Sequence, residues 1–290
     1  MNDKNSEICP IQVIAKQVTD NLMDDLSVTG DFTASLIPDN CIATAIIRTN
    51  QDMIMCGMKW AEMSFHILDR SIAINWQVKD GYIALAKTQL CTIVGNAQAI
   101  LTAERTALNF LQTLSATATE VRKYVNLVSD TDVKIMDTRK TLPGLRLAQK
   151  YAVTVGGGHN QRAGLYDGVL IKENHIAACG GVVNALNAAF NNTPPHIPIQ
   201  IEVENFTQLK EAIANGAKSI LLDNMSTDQI EECVRYNNGR AEIEVSGNVT
   251  LNNIAQYAAT GIDKISIGAL TKNVQAIDLS MRVIKIEFVT

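Results

Sequence analysis

The sequence predicts an α/β protein in which an N-terminal α+β domain is followed by an open, incomplete α/β barrel. Two observations predict this fold. Before residue 97, stretches with helical apolar spacing are mixed with alternating, strand-like stretches, and after residue 130 short β-rich runs alternate regularly with helical stretches. About six βα units can be counted, whereas the commonest closed barrel has eight, so the barrel is expected to be incomplete.

The first third of the chain carries the mixed pattern. The runs "IQVIAKQVTDNLMDDL" and "MKWAEMSFHILD" have helical apolar spacing, and the runs "CIATAIIRTN" and "SIAINWQV" alternate as strands do. From "NAQAILT" to "YVNLV" the spacing is helical without interruption. This stretch predicts either two consecutive helices or one long helix that crosses a domain boundary.

The remainder of the chain carries the repeating pattern. Its β-rich runs are "VKIMDTR", "GVLIKEN", "IPIQIEVEN", "SILLDN", "AEIEVSG" and "KISIGAL". Helix punctuation lies between them: Ser226 or Thr227 can cap one helix at its N-terminus, and Gly216, Gly239 and Gly261 each fall where a helix would end in a left-handed residue. The spacing therefore predicts parallel strands joined by helices.

Composition excludes several classes of function. The formal net charge is −5 and no block of lysine or arginine residues offers a track for phosphates, so nucleic acid is not an expected partner. The six cysteines contain no CxxC pair and the four histidines have no zinc-ligand spacing, which indicates reduced thiols. The start "MNDKNSEICP" lacks a basic and then apolar leader, and no run of eighteen apolar residues occurs, so we expect a cytoplasmic protein without membrane spans.

Polar side chains stand at the ends of the predicted strands, where parallel barrels carry their chemistry. The strand ends carry Asp137, Thr138, Arg139 and Lys140; Lys172, Glu173 and Asn174; Glu202 and Glu204; Asp223 and Asn224; Ser246, Gly247 and Asn248; and Gly268 and Ala269. Taken singly, Glu173 or Glu204 is expected to be solvated or to cap a helix. Taken together, six polar strand ends on one rim predict a binding site.

The rim combines cations with carboxylates. Arg139, Lys140, Arg162 and Lys172 can neutralise a multiply charged anion. Glu202 and Asp223 can hold Mg²⁺ directly or through water, or accept hydrogen bonds from sugar hydroxyls, and the glycine-containing ends "VSGN" and "SIGA" can bind a terminal phosphate through backbone N–H groups. The rim therefore suits a phosphorylated sugar. The run "VGGGHNQR" is not a P-loop, because it lacks the Gly-Lys-Ser/Thr ending.

Several of these segments resemble quinolinate phosphoribosyltransferase, also called nicotinate-nucleotide pyrophosphorylase. The similar segments are "DTRKTLPGLR", "KYAV", "GGGHNQRAGLYDGVLIKENHI", "IEVEN", "LLDN", "EVSGNV", "SIGALTK", "GDFTASLIP", "CGMKWAE" and "LTAERTALNFLQTLS". The resemblance covers nearly the whole chain. It implies the type II phosphoribosyltransferase fold, with an N-terminal domain over residues 1–115, a barrel over 116–275 and a tail over 276–290 that returns to the N-terminal domain.

The resemblance also implies an activity and roles for particular residues. The activity is a pentosyl transfer of NAD biosynthesis, in which a pyridine base replaces the pyrophosphate of phosphoribosyl pyrophosphate (PRPP) with the help of Mg²⁺. The protein would be a homodimer whose subunits share active sites, with Arg105 supplied by the partner subunit. Arg139, Gln161, Arg162 and Lys172 would line the base pocket; Lys140 would lie near the pyrophosphate, Glu202 and Asp223 near the ribose and Mg²⁺, and Ser246, Gly247 and Gly268 around the 5-phosphate.

The sequence departs from the family pattern at four positions. The family usually has histidine where Gln161 stands, arginine at Gln98, glycine at Ala116 and histidine at Asn273. The changes at Gln98 and Gln161 remove charge, and neutral amides can pair with a carboxamide. These two changes favour nicotinamide or nicotinate as the alternative base. Glutamine can still donate a hydrogen bond, however, and the cations Arg105, Arg139, Lys140, Arg162 and Lys172 all remain, so we expect quinolinate, converted to nicotinate mononucleotide and CO₂, as the preferred base.

Two other classes of function remain open from the sequence. A barrel aldolase could use Lys172 as a Schiff-base nucleophile, which trapping with borohydride would reveal. A catalytically silent, base-binding paralogue would instead bind PRPP without releasing pyrophosphate, and the changes at Gln98 and Gln161 motivate that alternative.

Overall fold

The computed structural model describes residues 8–289, and the chain divides into two compact units. Unit 1 comprises the chain up to Arg122, the segment Leu142–Gly157 and the chain from Thr271 onward; unit 2 comprises Lys123–Thr141 and Gly158–Leu270. The sequence expectation about a leader rests partly on residues 1–7, which lie outside the described part. No helix within residues 8–289 has both the length and the apolar character needed to cross a membrane.

Unit 1 is built on an antiparallel sheet with helices packed against it. Its helices are α1 (Ile11–Leu26), α2 (Met58–Leu68), α3 (Ala97–Leu127, which extends past the unit boundary) and α4 (Arg146–Gly156), and its strands are β1 (Cys41–Thr49), β2 (Met53–Ile54), β3 (Ala73–Trp76), β4 (Ile83–Ala84), β5 (Gln89–Asn96) and β12 (Leu279–Phe288). Four strands form one sheet in the order β12-β1-β5-β3, and β2 pairs with β4. The last strand therefore pairs with the first.

The long helical stretch of the sequence is one helix. Helix α3 runs for 31 residues without interruption and crosses the boundary between the units at Arg122. Its apolar face carries Ile100, Leu111 and Leu114, which are fully buried. Burial along this face, spaced at helical intervals, explains why the periodicity continues over the whole stretch.

Unit 2 holds the predicted open barrel. Its strands are β6 (Lys134–Met136), β7 (Val169–Ile171), β8 (Ile199–Val203), β9 (Ser219–Asp223), β10 (Glu242–Ser246) and β11 (Lys264–Ser266), and its helices are α5 (Glu173–Cys179), α6 (Val182–Asn192), α7 (Phe206–Ala214), α8 (Thr227–Asn237), α9 (Ile254–Ala258) and α10 (Ala269–Lys272). All pairings are parallel, in the order β6-β11-β10-β9-β8-β7. No ladder between β6 and β7 is found among the described residues, so the six-stranded sheet is open, as predicted.

Local sequence signals set the helix ends in unit 2. Ser226 caps α8 in a capping box with Gln229, in which each side chain bonds the other's backbone N–H. Gly216, Gly239 and Gly261 have φ angles of +85°, +72° and +85°, in the left-handed region. These predictions are confirmed because they depend on short-range backbone geometry.

Candidate functional site

The carboxyl ends of the six parallel strands bring most of the predicted site residues to one edge of unit 2. Arg139 and Lys140 follow β6, Lys172 follows β7, Glu202 lies in β8, Asp223 ends β9, Ser246 ends β10, and Gly268 follows β11. Parallel strands point the same way, so their carboxyl ends share an edge. We call this edge the rim.

Lys172 and Glu202 form an ion pair between the carboxyl ends of the adjacent strands β7 and β8. Lys172 Nζ lies 3.2 Å from Glu202 Oε2, and the glutamate is buried while the lysine is exposed. Burial raises the pKa of Glu202, the lysine opposes this rise, and the charge of Asp223 adds to it. The strand register agrees, because Glu202 pairs with Leu221 on β9 and Asp223 lies two residues further along β9, on the same face of the sheet.

Asp223 is held by hydrogen bonds to both of its carboxylate oxygens. Ser246 Oγ donates to Asp223 Oδ1 at 2.6 Å, and Asn224 Nδ2 donates to Asp223 Oδ2 at 2.7 Å. Asn224 itself has a φ of +53°, a left-handed conformation that asparagine tolerates. The orientation of the Asp223 carboxylate is therefore fixed before any ligand binds.

Gly247 leaves room for this arrangement. Its φ is +99°, and a Cβ at this position would lie 2.2 Å from Asn224 Oδ1. Gly268 is less constrained, because its Cβ would lie 2.9 Å from Lys140 Cδ, an atom of a flexible side chain that can move away. Gly247 therefore permits a close approach at the rim that a larger residue would block.

Replacing Gly247 with alanine is expected to impair PRPP use. The new Cβ would displace Asn224 and with it Asp223, so the KM for PRPP should rise about tenfold or more, with a loss of about 1–3 kcal/mol in the free energy of unfolding. Steady-state kinetics and thermal unfolding measure both. Gly239→Ala is the matched control, since Gly239 has a φ of +72° but a Cβ added there would meet no heavy atom within 4 Å. An unchanged PRPP KM in Gly247→Ala would contradict the prediction.

Two guanidinium groups lie close together at the rim. Arg162 Nη1 donates to the carbonyl oxygen of Gly168 at 2.8 Å. Burial lowers the pKa of Arg162, and the neighbouring charge of Arg139 lowers it further, while Asp167 opposes both effects. Arg139 Nε is buried and has no hydrogen-bond partner among the described residues. Partly buried cations that repel each other are stabilised by an anion, and arginine pairs well with carboxylates.

Gln161 is held from both its backbone and its side chain. Its backbone N–H donates to Asp137 Oδ1 at 2.8 Å, and its Nε2 donates to Glu244 Oε2. Gln98, the other departure from the family pattern, lies in unit 1, where its Nε2 donates to the Ile37 carbonyl oxygen at 2.5 Å and to Asp39 Oδ1 at 2.9 Å. Both amides thus donate to acceptors of this chain.

Arg105 belongs to a different unit from the other predicted site residues. It lies on α3 in unit 1 and its side chain is exposed. All the other predicted site residues lie in unit 2.

The carboxylates of the rim fit a magnesium ion whose coordination is completed by the phosphates of a substrate. Within residues 8–289 no group of three or more His, Cys, Asp or Glu side chains is placed to hold a metal ion. Mg²⁺ commonly takes one or two protein carboxylates, with water and substrate phosphates completing its coordination. Glu202 and Asp223 supply hard oxygen ligands of this kind, so the donor set fits Mg²⁺.

Sequence reasoning missed two polar residues below the rim, Glu244 and Gln200, where Gln200 Nε2 donates to Glu244 Oε2 at 2.9 Å. Asn224 was named at its strand end, but its hydrogen bond to Asp223 was not predicted. A signal was available for Glu244, because Glu242, Glu244 and Ser246 share one face of β10. Polar alternation is unusual in parallel strands, which are normally apolar throughout.

Comparison with protein families matches both parts of the chain. The model described as the C-terminal domain of quinolinate phosphoribosyl transferase matches residues 117–282, and the model of the N-terminal domain matches residues 28–115. Together these matches cover more than half of the chain, which is sufficient to assign a family.

Individual proteins of this family are similar to the chain over most of their own length and most of the length of this chain. A Bacillus subtilis (strain 168) protein named probable nicotinate-nucleotide pyrophosphorylase (carboxylating) is 39% identical over 255 residues, which cover 88% of each chain. A Mycobacterium leprae protein named nicotinate-nucleotide pyrophosphorylase (carboxylating) is 36% identical and covers 94% of this chain and 98% of its own. The solved structure of the nicotinate-nucleotide pyrophosphorylase from Francisella tularensis has a TM-score of 0.91 and 44% identity, covering 94% and 97% of the two chains.

Proposed function

The chain belongs to the quinolinate phosphoribosyltransferase family, and we propose that it joins quinolinate to PRPP, releasing pyrophosphate and CO₂ and forming nicotinate mononucleotide. One observation carries this proposal. The proposal is supported by the neighbouring guanidinium groups of Arg139 and Arg162, which lie near the same edge of unit 2 as the carboxylates of Glu202 and Asp223. Such an edge can hold an acidic base beside a phosphorylated sugar.

The base and the sugar would be bound by different parts of the rim. The two carboxylates of quinolinate would pair with Arg139 and Arg162, whose mutual repulsion a dianion relieves. The ribose hydroxyls would donate to Glu202 and Asp223, and the 5-phosphate would accept from backbone N–H groups near Gly247 and Gly268. This arrangement sets the pyridine nitrogen against the anomeric carbon, so the main contribution of the protein is positioning.

The transfer builds positive charge on the sugar and negative charge on the leaving pyrophosphate. The exposed ammonium group of Lys140 would bind the pyrophosphate and stabilise the charge that develops on it. Mg²⁺, held by Glu202 and Asp223 directly or through water, would neutralise phosphate charge. After the new bond forms, the ring nitrogen is cationic. When the adjacent carboxylate leaves as CO₂, the electron pair of the broken C–C bond stays on the ring carbon, where the neighbouring cationic nitrogen stabilises it, and that carbon then takes a proton from water to give nicotinate mononucleotide.

The proposed assembly is a homodimer with shared active sites. Its support is that Arg105 is exposed and lies in unit 1, whereas the remaining site residues lie in unit 2. An arginine from a partner subunit would add a third guanidinium to a pocket for a dianion.

Product analysis tests the proposed function. The protein is incubated with Mg²⁺, PRPP and one base at a time, quinolinate, nicotinate or nicotinamide, and the mononucleotide and CO₂ are identified by mass. We expect nicotinate mononucleotide from quinolinate. The departures at Gln98 and Gln161 do not by themselves favour nicotinamide, because both amides donate to acceptors of the chain. Product from nicotinamide alone would overturn the choice of base.

The pH dependence of PRPP use is expected to follow Glu202. Its pKa is raised, mainly by burial, so protonation removes its charge at a higher pH than for an ordinary glutamate of pKa about 4.3. Activity should therefore fall as the pH drops through the raised pKa, and this acid limb should disappear in Glu202→Gln. Profiles of kcat/KM for PRPP against pH, recorded for the wild type and for each variant, measure this loss of activity. Glu204→Gln, at an exposed position two residues away, should keep the wild-type limb.

A further inference from the structure

Below the rim, the inside of the barrel holds a carboxylate that the proposed chemistry does not use. Glu244 lies in the middle of β10 and is 1% exposed. Barrel interiors are normally packed with branched apolar side chains, and a buried carboxylate is costly unless it is well paired. Glu244 Oε1 has no hydrogen-bond partner among the described residues, and Glu244 Oε2 accepts from the side-chain amides of Gln161 and Gln200.

The bond to Gln161 links this buried charge to the loop that carries Arg162. Gln161 directly precedes Arg162, and its backbone N–H is bound by Asp137, which is itself fully buried. Downstream, Asp167 accepts from the backbone N–H groups of Ala163 and Gly164 at 2.7 and 2.8 Å. Three carboxylates therefore hold the loop from Gln161 to Gly168, and Glu244 does so through the side chain of Gln161.

The charge of Glu244 determines which way the amide of Gln161 turns. A carboxylate only accepts hydrogen bonds, so the NH₂ group of Gln161 must point down toward Glu244. An uncharged amide of the same size would offer both a donor and an acceptor, and either orientation of Gln161 would then be allowed. Replacing Glu244 with glutamine therefore removes the constraint that the carboxylate places on the amide of Gln161.

We infer that Glu244 is a positioning residue for the base pocket, acting through Gln161 to fix the loop that presents Arg162. The inference rests on the proposed function and deepens it, because it assigns the control of base binding to a residue outside the rim. It separates base binding from PRPP binding, since the hydrogen bonds that hold Asp223 come from Ser246 and Asn224 and do not involve Glu244.

Kinetics of Glu244→Gln, Gln161→Met and the double variant test the inference. We expect each single change to raise the KM for quinolinate about tenfold, the scale of one charge-assisted hydrogen bond, with the KM for PRPP and kcat changed by less than about twofold. The double variant should be no worse than the worse single variant, because residues that act through one another are not additive. Thermal unfolding establishes that each variant is folded.

Gln200→Met is the matched control. It also removes a hydrogen bond to Glu244 Oε2, but Gln200 lies on β8 and not on the loop. We expect its quinolinate KM to stay within about twofold of wild type, because Gln161 keeps its bond to the carboxylate.

The inference is overturned if Glu244→Gln leaves the quinolinate KM unchanged, if it raises both KM values equally, if the single effects multiply to about a hundredfold in the double variant, or if Gln200→Met matches Glu244→Gln. Any of these results with an active wild-type protein contradicts the inference alone. A wild-type protein that forms no mononucleotide from quinolinate contradicts the proposed function. In that case calorimetric titration of quinolinate into wild type and Glu244→Gln still tests the inference, because unchanged affinity overturns it.

Discussion

Arg162→Ala should lower kcat/KM for quinolinate by about thirtyfold to several thousandfold, the equivalent of about 2–5 kcal/mol for removing one partner of a partly buried charge pair. The effect is expected to be large because Arg162 is partly buried beside Arg139, and both groups would be neutralised by the same substrate. Steady-state kinetics at saturating PRPP measure the loss. The KM for PRPP should change little, since the carboxylates that would bind ribose are held by other residues.

Two variants accompany Arg162→Ala. Arg162→Lys keeps the positive charge but loses the planar guanidinium that pairs with a carboxylate through two hydrogen bonds. Its kcat/KM for quinolinate should therefore lie between those of the wild type and Arg162→Ala. Arg235→Ala removes an arginine that is 71% exposed and pairs with Glu231 one turn away on α8, and its kinetics should match wild type. Equal losses toward quinolinate and PRPP in Arg162→Ala would show that the arginine does not bind the base selectively.

Complementation between two inactive variants should restore activity if subunits share their sites. Arg105→Ala and Lys172→Ala are each expected to be nearly inactive. After random exchange of an equal mixture, half of the dimers are mixed and each has one competent site of two, so about a quarter of the wild-type activity should return. The activity of the mixture is assayed after exchange, and native mass spectrometry verifies that mixed dimers have formed.

The control for complementation pairs two residues of the same unit. Lys172→Ala and Arg139→Ala both alter the rim of unit 2, so neither site of a mixed dimer would be intact, and no activity should return. Recovery in this control, or no recovery in the Arg105 mixture despite verified exchange, would contradict a site shared in the proposed way.

The sequence by itself determined the class of fold and the edge that carries the polar residues. Each of the six predicted strands is observed, because every run is short, β-rich and bounded by helix or turn signals that act over a few residues. Ser226 and the three helix-ending glycines were equally predictable, since capping depends on local backbone geometry. Parallel strands place their carboxyl ends together, so the rim followed from the strands and from the residues that end them.

Only the tertiary structure decided how these side chains are held and which buried groups support them. Periodicity alone left the stretch from Ala97 to Leu127 as one helix or two, and packing of its apolar face makes it a single helix. The bonds from Ser246 and Asn224 to Asp223, and from Gln161 to Glu244, join strands or loops, most of them distant in sequence. Hydrogen bonds across a barrel depend on register and strand order, and one linear sequence specifies these only through the folded arrangement of all six strands.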